Sequence, residues 1–277
     1  MRIHWSWVLA LACLVVSAGC EQPPAASLTM PSPPSCLGAA PPVITTPPPV
    51  PPPHPPAARE QTPVGRSVQG RAIRCRVYGN GGDCVLVLGG IHGNEPASVP
   101  ICEELCSFLA RHPEMLRGRR VVVAPATNPD GLAANRRTNS HGVDLNRNFD
   151  TSNRQAVRRY GLKPLSEPES RYIARLIERY RPARIVSVHQ PLACVDWDGP
   201  ARDLAGAMSR ACGLPMRKLG ARPGSLGSYA GVDLHIPIIT LELPRGASGL
   251  TPSDVWRTYG QALLVSIHYR DAAMTAK

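Results

Sequence analysis

A histidine and a glutamate three residues apart follow an apolar run, in Val85-Leu86-Val87-Leu88-Gly89-Gly90-Ile91-His92-Gly93-Asn94-Glu95. A second histidine ends the run Ile185-Val186-Ser187-Val188-His189, and a lone carboxylate interrupts Ile239-Thr240-Leu241-Glu242-Leu243. Two imidazoles and one carboxylate suffice to hold a zinc ion with one coordination position open. A further carboxylate is what such a site needs to move protons. A buried carboxylate without a partner is costly, so Glu242 inside an apolar strand has a poor explanation as mere packing. These residue types imply metal-assisted hydrolysis.

Alternating elements must carry those residues to one place. Ala72 to Tyr78 and Cys84 to Leu88 read as two strands joined by the glycine-rich turn Gly79-Asn80-Gly81-Gly82. Pro96 suits the first turn of a helix reaching about Arg111, with Ile101, Leu105, Phe108 and Leu109 on one face. Arg119 to Ala124 is a third strand. Ser166-Glu167-Pro168-Glu169 reads as a capping box before a helix whose buried stripe is Tyr172, Leu176 and Ile177. Ala183 to His189 is a strand, Ala201 to Cys212 a helix and Pro237 to Leu243 a strand. Thr251-Pro252-Ser253-Asp254 opens the last helix. The expected fold is a three-layer α/β sandwich around a mixed, largely parallel, twisted central sheet. Such sheets gather ligands at the carboxyl ends of their strands, where His92, His189 and Glu242 all fall.

The rest of the 277-residue chain is of another kind. Residues 1–20 hold Arg2, an apolar stretch from Trp5 to Val16 and then Ser17-Ala18-Gly19-Cys20, the pattern of an export signal. The apolar stretch falls short of the roughly 20 residues of a membrane-spanning helix. Its end resembles the lipobox of bacterial lipoproteins, with Cys20 as the lipidated residue, although Ser17 stands where leucine is usual. A soluble secreted protein is the alternative. Residues 21–63 are rich in proline, alanine, serine and threonine, as in Pro47-Pro48-Pro49-Val50-Pro51-Pro52-Pro53, and read as an extended disordered linker. Residues 64–277 suit one domain.

The chain carries a formal +11, and removing Arg2, Arg59, Glu21 and Glu60 leaves that excess in the domain. A field of that sign favours anionic surfaces, polymers or small substrates. No recognition motif or aromatic stacking pattern supports nucleic acid, so none is expected as a partner. Of the domain's cysteines, Cys75 and Cys84 could pair across a hairpin, while Cys102 and Cys106, four apart on a helix, suit packing. No Cys-x-x-Cys spacing suggests a thiolate zinc site.

Further segments narrow the chemistry. Asn128-Pro129-Asp130-Gly131, then Arg137-x-Asn139, then Gly142-Val143-Asp144-Leu145-Asn146-Arg147-Asn148-Phe149 closely resemble the zinc carboxypeptidase (M14) family, and Gly65-Arg66-Ser67-Val68-Gln69-Gly70-Arg71 also fits. The resemblance covers nearly the whole domain and neither leader nor linker. It implies a zinc carboxypeptidase-like fold and one zinc ion held by His92, Glu95 and His189. It also implies that Asp144 orients the ring of His92, that Glu242 is the general base and acid, and that Arg137 polarises the scissile carbonyl. Asn146 and Arg147 would grip a substrate carboxylate, as a guanidinium fork does through paired hydrogen bonds. Arg136, beside Arg137, leaves that assignment open by one residue. His141, His235 and His268 are expected not to be ligands, and Asp196, Asp198 and Tyr229 have no assigned role.

Within the family, Ser187 to Asp196 and Pro223 to Tyr229 look like the murein peptide amidases, which cut between γ-D-glutamate and diaminopimelate. Gln190 departs from the glutamate expected there. The resemblance implies hydrolysis of an amide bond in peptidoglycan peptides or muropeptides, within the bacterial cell envelope and near a membrane through the anchor. Alternatives are a general metallocarboxypeptidase, a deacylase of the aspartoacylase or succinylglutamate desuccinylase type, and a non-catalytic wall-binding lipoprotein. The intact set His92, Glu95, His189 and Glu242 disfavours the last.

Overall fold

The computed structural model describes residues 59–60 and 65–269. The expected export signal, Cys20 and nearly all of the proline-rich linker lie outside the described residues. In chain order the elements are β1 (Arg59–Glu60), β2 (Gly65–Arg66), β3 (Ala72–Ile73), β4 (Arg76–Tyr78), β5 (Asp83–Leu88), α1 (Ser98–Arg111), β6 (Arg119–Ala124) and α2 (Pro129–Ala133). There follow α3 (Pro168–Tyr180), β7 (Arg184–His189), β8 (Leu192–Asp198), α4 (Arg202–Cys212), β9 (Ile238–Pro244) and α5 (Pro252–His268). Among the described residues, seven strands form one sheet in the order β1-β4-β6-β5-β7-β9-β8. The four inner strands β6, β5, β7 and β9 are parallel, and the outer ones pair antiparallel. The sheet is therefore mixed and largely parallel, as the strand–helix alternation implies. β1 lies inside the stretch read as linker, because two rungs of backbone pairing require no apolar side chains.

Period-two alternation divides the strand residues between two layers. Val85, Val87, Val121, Val123, Val186, Val188, Ile239 and Leu241 pack under α1, α4 and α5. Leu86, Leu88, Val122, Ala124, Ile185 and Ile238 face the other way, onto Tyr172, Ile173, Leu176 and Ile177 of α3 and onto Leu145 and Phe149. His189 and Glu242 keep the parity of Ile185 and Ile238, so both emerge on the α3 side of the sheet. At the far end of the strands, Arg184 makes a two-pronged contact with Asp83, at 2.8 and 2.9 Å, and donates to the carbonyls of Ser266 and Ile267. It thereby satisfies carbonyls left over at the end of α5. No helix among the described residues is long and apolar enough to cross a membrane.

Two expectations need correction. The segments around Cys75 and Cys84 do not form a hairpin, because β6 lies between β4 and β5. Val121 to Ala124 are fully buried, and a strand apolar on both faces belongs inside a sheet. The Gly79–Gly82 turn accordingly steps over one strand, and the described cysteines are free thiols. Burial pushes the Cys84 thiol up to about 11, which suits a packing residue. The capping box at Ser166 also fails to form. Glu167 takes the capping position, and Glu169 instead accepts from Val68 N and from Asn139 Nδ2. Thr251 does cap the last helix, its hydroxyl accepting from Asp254 N at 3.2 Å. Finally, β8 is a strand that local pattern did not reveal.

The step over β6 depends on a bare backbone. A Cβ on Gly81 would lie 2.0 Å from the carbonyl carbon of Gly118, whereas one on Gly82 would meet nothing within 4 Å. Gly81→Ala should destabilise the chain by about 1–3 kcal/mol, the usual cost of overpacking, and Gly82→Ala by less than about 0.5 kcal/mol. Urea unfolding of the two variants checks this, and equal midpoints would refute the close crossing.

Candidate active site

His92 sits on the loop after β5, where Gly90 turns at φ +62° and Gly93 lies against the backbone of Gly131. A Cβ on Gly93 would fall 1.9 Å from the Gly131 carbonyl carbon. The Asn128–Gly131 turn holds this loop from below: Asn128 Nδ2 donates to Ile91 O at 3.1 Å, and its Oδ1 accepts from Gly131 N at 2.9 Å. Asp130 is tied in turn to the opening segment, accepting from Ser67 Oγ, Gln69 N and Arg71 Nη1. Asn139 shapes the next loop. Its Oδ1 accepts from His141 N and Val143 N, while Nδ2 donates to Glu167 and Glu169. The sequence motifs are thus mostly scaffolding for two loops.

Those loops meet β7 at one point. His92 Nδ1 lies 2.8 Å from Glu95 Oε1, His189 Nδ1 lies 2.8 Å from Glu95 Oε2, and the two Nδ1 atoms are 3.2 Å apart. His92 Nε2 is engaged by Asp144 Oδ1 at 3.1 Å, and His189 Nε2 by Ser187 Oγ at 2.9 Å. All three residues are buried. With Nε2–H donated outward in each neutral ring, both Nδ1 lone pairs face inward, toward each other and toward a carboxylate. Lone pairs so placed repel unless a cation lies among them. The 3.2 Å separation is close to the edge of a tetrahedron with metal–nitrogen bonds of about 2.0–2.1 Å, roughly 3.3 Å. His92, Glu95 and His189 therefore fit a metal ion, and they are the group able to hold one among the described residues.

The surrounding charges support that arrangement. Burial would raise the Glu95 carboxyl, but the charge and hydrogen bond of His189, joined by His92, hold it well below the usual carboxylate range. Burial likewise works against Asp144, and the hydrogen bond and charge of His92 with Arg137 and Arg147 keep it low. Arg137 Nε donates to Asp144 Oδ2 at 2.9 Å and its Nη1 to Glu95 Oε1 at 3.3 Å. Arg136 is exposed, with its backbone amide on Gly131 O, so Arg137 is the arginine at the site.

Glu242 is the register partner of His189 across the β7–β9 pair and of Cys194 across β8–β9. Burial pushes its carboxyl up, with His189 opposing and Glu95 adding to the rise. Its Oε2 accepts from Leu192 N at 3.3 Å. Asn146 and Arg147 line the same cleft, of about 290 Å³, with the expected residues His92, Glu95, Arg137, His189 and Glu242. Asn146 Oδ1 accepts from Leu226 N at 2.8 Å, which leaves its amide hydrogens as donors. Burial, along with the charge of Arg137, lowers the affinity of Arg147 for its proton, while Asp144 raises it. An anion in the cleft would relieve that strain on the guanidinium.

Local reasoning missed several participants. Ser187 shares a strand face with His189, a signal visible in the i, i+2 spacing. Gln190 is a brace: its Oε1 accepts from Ala97 N at 2.9 Å, and its Nε2 donates to Pro244 O and Ser248 Oγ, each at 3.1 Å. A glutamate there could not donate those last two bonds. Thr240, Arg222, Asp196 and Asp198 also line the cleft. Tyr229 does not; it belongs to a π-helical turn, Gly227–Asp233, and stacks on Phe149 at 5.5 Å. His141 pairs with Glu167 at 2.8 Å.

Residues 54–193 match the model of the zinc carboxypeptidase family, Peptidase M14. Murein peptide amidase A of Escherichia coli K12 is 37% identical over 205 residues, covering 68% of this chain and 81% of that protein. The crystal structure of murein-tripeptide amidase from Escherichia coli O157 superposes with a TM-score of 0.61 at 31% identity, over 78% of this chain and 94% of that one. Carboxypeptidase A of Helicoverpa armigera shares the fold at 18% identity, with a TM-score of 0.63 over 77% of this chain and 67% of that one.

Asp144 binds His92 Nε2 and Arg137 together, so it should set the ring's orientation and basicity. Asp144→Asn should weaken zinc binding about 10–100-fold, the usual cost of losing a partner behind a metal-binding histidine. Competition against a chromophoric chelator measures this, and unchanged affinity would remove Asp144 from the site.

Proposed function

The chain belongs to the zinc carboxypeptidase (M14) family, and we propose that it is a zinc-dependent amidase of peptidoglycan peptides, cutting between γ-D-glutamate and diaminopimelate. The observation that carries this reading is the convergence of His92 Nδ1, His189 Nδ1 and the Glu95 carboxylate beside Glu242, in a cleft that also presents Asn146 and Arg147. The identity to murein peptide amidase A supports the choice of bond within the family.

A single zinc ion held by His92, Glu95 and His189 supplies, when bound, Lewis-acid polarisation of the amide carbonyl and a water acidic enough to ionise near neutrality. Glu242 does the proton work. Its carboxylate takes the proton of the attacking water at Oε and returns it to the departing amine of diaminopimelate. A buried carboxyl with raised proton affinity suits both halves of that task. Arg137, held by Asp144 and Glu95, offers its guanidinium to the oxygen on which negative charge develops. Arg147 and the Asn146 amide group bind the carboxylate adjoining the departing amine, which fixes the bond presented to Glu242.

Mass spectrometry of L-Ala-γ-D-Glu-diaminopimelate incubated with the zinc-loaded chain tests the reading. Wild type should release free diaminopimelate, and Glu242→Gln should lower kcat about 10²–10⁴-fold, the range for a lost general base. Arg147→Ala should instead act mainly on KM, about 10–100-fold, as the loss of a charge-assisted contact to the substrate carboxylate. Cleavage of ordinary L-peptides alone would move the function to a general carboxypeptidase.

The same reading makes residues 1–20 an export signal, Cys20 a lipidation site, residues 21–63 a spacer and the remainder a catalytic domain working in the bacterial cell envelope. Its support is the charged start, the short apolar core and the Ser17-Ala18-Gly19-Cys20 end. Palmitate label should be incorporated by the full chain and lost in Cys20→Ser. Label that survives the substitution would leave a secreted protein without an anchor.

A further inference from the structure

The cleft carries both signs of charge. Arg137, Arg147 and Arg222 line it, and so do Asp196 and Asp198. The two aspartates differ in one respect. Asp198 is neutralised by Lys218, Nζ to Oδ1 at 2.5 Å. Asp196 has no ion pair among the described residues, although only 4% of its surface is exposed. Its fixed donor is a backbone amide, Leu219 N at 2.9 Å. Burial pushes its carboxyl up, with Asp198 adding and Lys218 opposing, as expected of an anion lacking a full counter-charge.

Its position follows from register. Asp196 on β8 is opposite Thr240 on β9, and Cys194 is opposite Glu242. Asp196 is therefore the diagonal neighbour of Glu242 on the cleft face, about 7–8 Å away in such a pair. The amine released by Glu242 and a second amine at the end of a five-carbon chain are separated by about 7 Å when extended, from ordinary bond lengths. We propose that Asp196 is the specificity-determining residue for the departing amino acid, binding the ammonium at the far end of its side chain. This rests on the amidase reading above and adds to it that the enzyme selects diamino acids over their monoamino counterparts.

The test compares L-Ala-γ-D-Glu-diaminopimelate with the same peptide ending in 2-aminopimelate, which lacks only the distal ammonium. Wild type should prefer the diamino peptide by about 10-fold or more in kcat/KM, a charge-assisted hydrogen bond's worth. Asp196→Asn keeps an oxygen for Leu219 N. It should lose about 10–100-fold on the diamino peptide, chiefly in KM, and change less than about 3-fold on the other. Equal wild-type rates on the two peptides, or equal losses in the variant, would overturn the proposal. If wild type cleaves neither peptide, the amidase reading fails instead. Calorimetry of the zinc-loaded chain with free diaminopimelate and free 2-aminopimelate then decides: tighter binding of the diamino acid upholds Asp196, and equal affinity overturns it.

Discussion

Two imidazole nitrogens held 3.2 Å apart, with their lone pairs turned inward onto a shared carboxylate, form the constraint around which this domain is built. Nothing in such a cluster is attractive without a cation or an added proton. The fold must hold it together from outside. Asp144 and Ser187 do so by binding the outer nitrogens, which fixes each ring's tautomer and direction. Gln190 N and Arg137 hold the Glu95 carboxylate from two sides. A metal ion bound by His92, Glu95 and His189 would turn that repulsion into attraction.

The layers behind that cluster explain why several polar residues of the motifs never touch the cleft. Asn128, Asp130 and Asn139 are buried, and each satisfies backbone groups or charges that the loops would otherwise leave unpaired. Buried polar groups fully satisfied in this way rigidify the loops that carry them. Gly93 and Gly131 contribute differently, by letting two backbones approach closer than any side chain would permit. Rigid loops suit a site that must bring two loops and three strand positions together.

The cleft itself has an electrical direction. Arg137 lies against Glu95, Arg147 and Arg222 also line the cleft, and the carboxylates of Asp196, Asp198 and Glu242 reach it from the antiparallel β8–β9 pair. A substrate with a carboxylate next to the scissile amide and an ammonium further along would meet opposite charges at both places. The formal +11 of the chain favours anions at the surface in general, whereas this local pairing of signs would set a substrate's orientation.

Much of this was legible in the residues themselves. The alternation of strands with helices, and the positions of His92, His189 and Glu242 at or just after strand ends, already imply a largely parallel sheet with its site at the carboxyl edge. The ligand atoms' chemistry belongs to the side chains and travels with them into any fold that brings them together. What the tertiary structure alone decided concerns neighbours. It inserted β6 between β4 and β5, chose Arg137 over Arg136, made Gln190 a brace and set Asp196 diagonal to Glu242. β8 escaped notice because two aspartates on its cleft face mask the strand pattern, aspartate being disfavoured in strands. Local sequence specifies which face of an element is apolar. Register between elements distant in the chain is settled only when those faces pack and every buried polar group finds its partner.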